Sequence, residues 1–558
     1  MAAVSARDDV FDLGAHSLQA IQVANRLGVE LRRDVKVAWL FQHPTPAELA
    51  RFLEQRERPR PAAVGLPAAL LADTVLDPDI RPGDGPRATG TPDRVLLTGA
   101  TGFVGVHLLA ELLMNTGAEV VCTVRAASPA EATARIHQTL ETHLINLPDA
   151  TRHRITAVPA DITRPHLGLD DALFAELART CGAIIHNAAT VSIMREYATL
   201  RAANTESTRE LLRMAAVRST PLHFVSTLSV APPLALAPEV PEAFLPAHPG
   251  LRHGYQQSKW AAERLLEQAV ERGLPVTVHR LGRIVGPYTT GYVNERDFLW
   301  SVLRAGVPAG IVPDLFEEEA WTPVDHVAQA LVHLCLAQPA PGAIVFNHAA
   351  GELVRLGDVY DWLEEYGYPL RRVPLARWRA ELPRSSGGSG GSGGSDGSGV
   401  AATTLAFFDS WDDGTDDATG PDLRLGRVRA DNVVNGLRGS GITCPPVDRH
   451  LVFRYLDHCV TTGTLPAPAG NSSIPPRPPG SWACPGTQGR HPPTTATEPD
   501  ASRAPRNKEP ACRTIGRSPS PWPAPSVWSR RHAPTRRPTS APPPAARLRR
   551  RPRSPATR

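Results

Sequence analysis

The sequence predicts an α/β fold in which a parallel sheet is crossed by helices, and two observations carry that expectation. From Arg94 to about Leu382, short apolar or β-branched runs (Val95-Leu96-Leu97, Val120 to Val124, Ile155 to Val158, Ala183-Ile184-Ile185, His223-Phe224-Val225) alternate with amphipathic segments of helix length. Such alternation feeds each strand through a helix into a parallel neighbour. The first run passes directly into Gly99, Gly102 and Gly105, a spacing that turns a strand sharply into a helix. At 558 residues the chain exceeds one core, since domains hold roughly 100 to 200 residues, so two or three units are expected.

Four zones follow from punctuation. Residues 1–56 read as short helices; 57–90, rich in Pro and Gly, read as a linker. Residues 91–470 form the αβ body, interrupted by the Gly/Ser tract 385–399 as a flexible loop. The 88 residues of 471–558 hold 17 of the 60 Lys and Arg, 3 of the 56 Asp and Glu, and 21 of the 56 Pro. That tail carries +14 against −10 elsewhere and has too little apolar surface to offset the entropy of ordering, so it is expected to be disordered. It lacks strand or helix periodicity, which disfavours nucleic-acid binding.

Composition narrows the classes further. No apolar run approaches the ~18 residues needed to span a bilayer, and no basic segment precedes an apolar core at the start, so a cytoplasmic protein without membrane contact is expected. The seven cysteines (122, 181, 335, 444, 459, 484 and 512) are scattered without a CxxC pair. They are read as reduced thiols, with no metal site.

In the first zone, Phe11-Asp-Leu-Gly-Ala-His-Ser17-Leu sets a serine before a helix whose Leu18, Ile21, Ala24 and Leu27 share a face. Thr45-Pro46-Ala47-Glu48 is a capping box with proline at the first helical position. Together these stretches resemble the second half of a peptidyl carrier domain of nonribosomal peptide synthetases, with Ala15 replacing a glycine of the usual motif. The resemblance implies phosphopantetheine attached at Ser17. Only sixteen residues precede Ser17, so the carrier is expected to be partial, its first helix lying further upstream.

In the second zone, Arg94 to Leu109 joins strand to helix through GxxGxxG, a dinucleotide cradle. Gly99 allows the turn, Gly102 lets backbone approach a pyrophosphate beside Thr101 and Phe103, and Gly105 lets helix and strand pack closely. Arg125 ends the next strand, where a carboxylate would favour NAD; arginine suits a 2′-phosphate, so NADPH is expected. Arg135 on the following helix is a second candidate phosphate contact. Asp161 after the third strand is a candidate acceptor from the adenine amine, and Asn187 ends the fourth strand beside the cofactor.

Tyr255 and Lys259 are four apart on one helix face, and Thr227 ends the fifth strand. The ammonium is expected to lower the phenol's pKa and make Tyr255 a proton donor. The order GxxGxxG, Asp161, Asn187, Thr227 and Tyr255-x-x-x-Lys259 resembles the extended short-chain dehydrogenase/reductases, which implies a Rossmann-type doubly wound sheet with a smaller C-terminal substrate-binding subdomain. Val278 to Gly286, Gly291 to Asp297 and Trp321 to Val327 resemble one branch, the terminal thioester reductase domains of nonribosomal peptide synthetases, although Leu281 stands where that branch has proline. The resemblance implies that Thr227 and Tyr255 bind the thioester oxygen, that Lys259 holds the nicotinamide ribose, and that a carrier-tethered acyl group leaves as an aldehyde or, after a second hydride, an alcohol. It implies as partners upstream synthetase modules and a phosphopantetheinyl transferase. A nucleotide-sugar epimerase or dehydratase shares the glycines, Thr227, Tyr255 and Lys259; an inactive synthetase fragment is the other alternative.

Overall fold

The computed structural model describes residues 5–11, 13, 23, 24, 26, 27, 30, 31, 35, 37–55, 66–83, 90–192, 195–295, 297–315, 318–336, 344–349, 353–385, 404 and 424–468. Ser17, residues 386–399 of the Gly/Ser tract and the 471–558 tail lie outside them, as does the disorder expected of that tail. The chain divides into units 1–483 and 484–558, and every described residue belongs to the first.

The strands are β1 (Arg94–Thr98), β2 (Glu119–Val124), β3 (Ile155–Pro159), β4 (Ala183–His186), β5 (Leu222–Thr227), β6 (Glu239–Val240), β7 (Val276–Leu281), β8 (Arg283–Val285), β9 (Ile311–Pro313), β10 (Glu318–Pro323), β11 (Val345–His348), β12 (Leu353–Arg355), β13 (Arg371–Val373) and β14 (Arg427–Val428). Seven of them form one parallel sheet in the order β11-β7-β5-β4-β1-β2-β3. Strand order reverses at β1, whose Val95 pairs with Val120 on one side and Ala183 on the other. This crevice is where ligands bind in doubly wound sheets.

The strands are apolar at successive positions because helices cover both faces. Leu96, Val121, Ile184, Phe224 and Val278 face one core with Leu177, Leu211 and Leu265. Val95, Leu97, Val120, Ile185 and Val225 face the other with Leu108, Ile136 and Leu331. A third core joins Val285, Trp300, Trp321, Tyr360, Leu363, Leu451 and Tyr455. It is the expected smaller C-terminal subdomain, with the helix Arg449–Thr461 returning to the body.

The N-terminal helices enclose their own core of Ala24, Val35, Leu40, Leu49 and Leu53. Thr45 Oγ1 accepts from the Glu48 amide at 3.2 Å, as the capping box requires. One expectation needs correction. Residues 66–83 fall in the span read as linker, yet Leu70, Leu76 and Ile80 are at most 1% exposed. Each such side chain contributes about 1.5–3 kcal/mol by leaving water, and Arg209 and Arg272 bond the backbone carbonyls of Asp73, Val75, Leu76 and Ile80. Proline had masked an apolar strap belonging to the body. Among the described residues no helix is long and apolar enough to cross a membrane.

Candidate active site

The glycine turn fits a dinucleotide. Gly99 has φ +74°, in the left-handed region, and a Cβ there would lie 2.8 Å from the Ala188 backbone. A Cβ on Gly105 would stand 1.9 Å from the Gly99 carbonyl oxygen. Only hydrogen fits at either position. The helix Phe103–Asn115 therefore starts hard against the end of β1 with Gly102 as its N-cap, and unpaired amides at such a terminus favour phosphate. Asn187 Nδ2 donates to the Gly99 carbonyl at 3.3 Å, pinning the turn to the end of β4. Thr98 Oγ1 accepts from the Ala188 amide at 3.0 Å and lies 2.8 Å from His186 Nδ1.

One cleft runs over the carboxyl ends of the strands. Its walls include Gly99, Thr101, Gly102, Phe103, Arg125, Arg135, Asp161, Asn187, Thr227, Tyr255 and Lys259. The structure thus gathers the residues singled out in the sequence, apart from Gly105, which packs beneath the turn, and Ser17. The Arg135 guanidinium donates to the Arg125 carbonyl, so both cations sit at the end of β2. Asp161 is turned back on its own loop: Oδ1 accepts from the Thr163 amide at 3.0 Å and hydroxyl at 2.7 Å, and Oδ2 lies 3.4 Å from Arg164 Nε.

Tyr255 and Lys259 lie on the helix Gly254–Glu271. Lys259 Nζ donates to the Val225 carbonyl at 2.7 Å and sits 3.7 Å over the Phe224 ring. Burial pulls its pKa down to about 7, with the Glu263 carboxylate opposing. The phenol departs from expectation. Burial pushes Tyr255 up to about 12, offset only in part by a hydrogen bond with Thr227. Desolvation of the phenolate outweighs the neighbouring amine, because that amine is engaged by a carbonyl and itself loses charge on burial.

Sequence reasoning missed the supports beneath this pair. Glu263, one turn beyond Lys259, accepts from Ser226 Oγ at 2.6 Å and from Arg280 Nε and Nη2 at 3.0 and 2.6 Å. Both ionic side chains are at most 1% exposed. Arg280 also reaches the carbonyls of Pro241 and Ala243. This network ties the helix to β5 next to Thr227 and to β7. Its one legible signal was the i, i+4 continuation of the polar stripe from Lys259 to Glu263.

A nucleotide cradle at the switch point, with a strand-end hydroxyl and a Tyr-x-x-x-Lys helix on the same cleft, defines a reductase of the extended short-chain dehydrogenase class. The family described as male sterility protein, an NAD-binding family, matches residues 97–331, and that described as phosphopantetheine attachment site matches residues 2–53. The terminal R domain of the myxalamid PKS-NRPS pathway superposes with a TM-score of 0.66 at 36% identity, covering 72% of this chain and 99% of that one. Isonitrile lipopeptide synthase of Streptomyces coeruleorubidus is 80% identical over 486 residues, 86% of this chain and 32% of the relative. Linear gramicidin synthase of Brevibacillus parabrevis is 32% identical over 83% of this chain and 9% of its own length. This chain belongs to the family of terminal reductase domains of nonribosomal peptide synthetases, preceded by a phosphopantetheine-attachment region. It spans less than a third of the length of these two curated relatives.

Proposed function

We propose that the chain performs NADPH-dependent reductive release, converting an acyl or peptidyl thioester borne on Ser17 to an aldehyde. The observation that carries this reading is the convergence of Thr227, Tyr255 and Lys259 on the cleft that holds the glycine turn, in a chain that also has the attachment region. Gly99, Thr101, Gly102 and Phe103 are suited to the pyrophosphate, Arg125 and Arg135 to a 2′-phosphate, and Asp161 and Asn187 to the adenosine side and the turn. When bound there, NADPH supplies the hydride that reduces the carbonyl carbon.

The residues of the chain manage the oxygen. Thr227 and Tyr255 donate hydrogen bonds to it, stabilising charge where it develops. With its pKa raised to about 12, Tyr255 is protonated at neutral pH and releases its proton only to a strongly basic oxygen such as a forming alkoxide. Lys259 keeps positive charge beneath the phenol, and Glu263 helps maintain it. The hemithioacetal then expels the arm's thiol, leaving the aldehyde. A second round on the aldehyde gives the alcohol.

Cleft-lining apolar side chains at Val191, Leu234, Leu236 and Leu353 suit an acyl chain. The reading requires a phosphopantetheinyl transferase to charge Ser17, upstream synthetase modules to load it, and a cytoplasmic setting. Family membership disfavours the sugar-nucleotide epimerase alternative. The test is Ser17→Ala: turnover of carrier-loaded substrate should vanish while a soluble thioester is reduced as before. Equal loss on both would make Ser17 structural only.

A further inference from the structure

We propose that Arg195 is the docking residue through which the reductase body receives its own carrier region, placing the carrier beside the loop that abuts Tyr255. The inference rests on the reading above. Arg195 Nη2 lies 3.3 Å from Asp9 Oδ2, the two side chains being 14% and 18% exposed. Its guanidinium also sits over the Phe11 ring, 5.6 Å from the centroid. One cation thus meets a carboxylate and an aromatic face, a pairing that arginine's planar, weakly hydrated head suits better than lysine's.

Both contacts are anchored on the carrier side. Asp9 Oδ1 accepts from the Phe11 amide at 2.8 Å, which leaves Oδ2 turned to Arg195. The Phe11 ring stacks on Phe41 at 4.6 Å, within the small N-terminal core. The Val10 amide donates to the Pro44 carbonyl and the Ala47 amide to the Ala6 carbonyl, so residues 6–11 move with the helices Val37–Gln42 and Pro46–Gln55.

Arg195 is equally well placed on the body. Thr190 and Val191, a few residues earlier, line the cleft. A Cβ on Gly254 would lie 2.4 Å from the Arg195 carbonyl oxygen and from the Tyr197 amide nitrogen, so this backbone presses on the residue before Tyr255. Ser17 follows Phe11 by six residues, which span at most about 20 Å when extended. The docking contact therefore brings the start of a Ser17 arm within reach of the cleft mouth and lies one backbone contact from the reacting phenol. Arg195 itself does not line the cleft, so its effect should be confined to carrier-borne substrate.

The experiment compares NADPH consumption by the full chain, loaded at Ser17 with an acyl-phosphopantetheine arm, with its consumption on a soluble acyl-coenzyme A. Arg195→Asp should slow the loaded reaction about tenfold, the combined loss of a half-buried ion pair and a cation–π contact, and leave the soluble rate unchanged. Asp9→Arg should do the same, and the double swap Arg195→Asp with Asp9→Arg should recover most of the loaded rate. An unchanged loaded rate in the single variants, equal slowing on both substrates, no recovery in the swap, or a chain that takes no arm at Ser17 would overturn the proposal. A wild-type chain inert on the soluble thioester would instead remove the proposed reductase function, so the two failures read differently.

Discussion

Tyr255 and Lys259 face one cleft from adjacent turns of a helix, and each is displaced toward its neutral form by burial, the phenol to about 12 and the amine to about 7. Their positions were legible because a four-residue spacing on a helix fixes which side chains share a face. Their titration was not, because desolvation depends on what packs around them from β5 and from the loops after β4 and β5. Arg125 shows the same division. A strand-end cation suggested a 2′-phosphate, and the fold supplied Arg135 as its neighbour by bringing the next helix back over β2. Arg125→Asp should weaken NADPH binding by about 10- to 100-fold, the range of a lost charge-assisted hydrogen bond, and leave NADH binding equal or improved. Titration of both nucleotides by fluorescence measures the ratio; an unchanged preference would show that Arg125 does not read the phosphate.

Among the elements, the strands of the main sheet were legible because both of their faces are covered, which writes continuous apolar runs into the sequence. The two-residue strands β6 and β14 were not, since so short a pairing leaves no periodicity and depends on a partner nearly two hundred residues away. The helix Ala68–Asp73 was hidden for another reason: it follows prolines, and its burial relies on Arg201 and Tyr197 binding Asp73 from across the body. Glu263 and Arg280 were also invisible as a pair, because a charged residue on a helix normally marks a solvated face. Here the pair is fully buried and holds the Tyr255 helix to β5 and β7. Glu263→Gln should cost about 3–5 kcal/mol, because Arg280 is left charged in the core, and chemical denaturation would register it as a lower midpoint. An unchanged midpoint would mean the network contributes little. The same variant should shift loss of Lys259 charge to lower pH, since the opposing carboxylate is gone.

For the molecule as a whole, the order of zones was readable from composition and punctuation, whereas the join between carrier and body was not, because one ion pair between Asp9 and Arg195 has no sequence signature. A property of the assembled core follows from its histidines. His223 Nδ1 lies 2.7 Å from Thr277 Oγ1, which is 3.2 Å from His279 Nε2, and His279 Nδ1 lies 3.1 Å from His348 Nε2. Burial lowers His223 to about 4, His348 to about 3 and His279 well below the ordinary value of 6.5. Folded, these rings bind fewer protons than when unfolded, so their contribution is complete above about pH 6.5 and is lost as pH falls toward 3 to 4. Denaturation midpoints should therefore fall steeply with acidification below pH 6.5; a flat profile across that window would mean that the rings are protonated within the fold. The central claim, that a phenol held over a buried lysine protonates the oxygen of a reduced thioester, is tested most directly by mixing the purified chain with NADPH and an acyl-pantetheine thioester. The account predicts NADPH consumption with aldehyde formation in the wild type, and none with Tyr255→Phe although NADPH still binds. Equal turnover by the two proteins, or no aldehyde from the wild type, would contradict it.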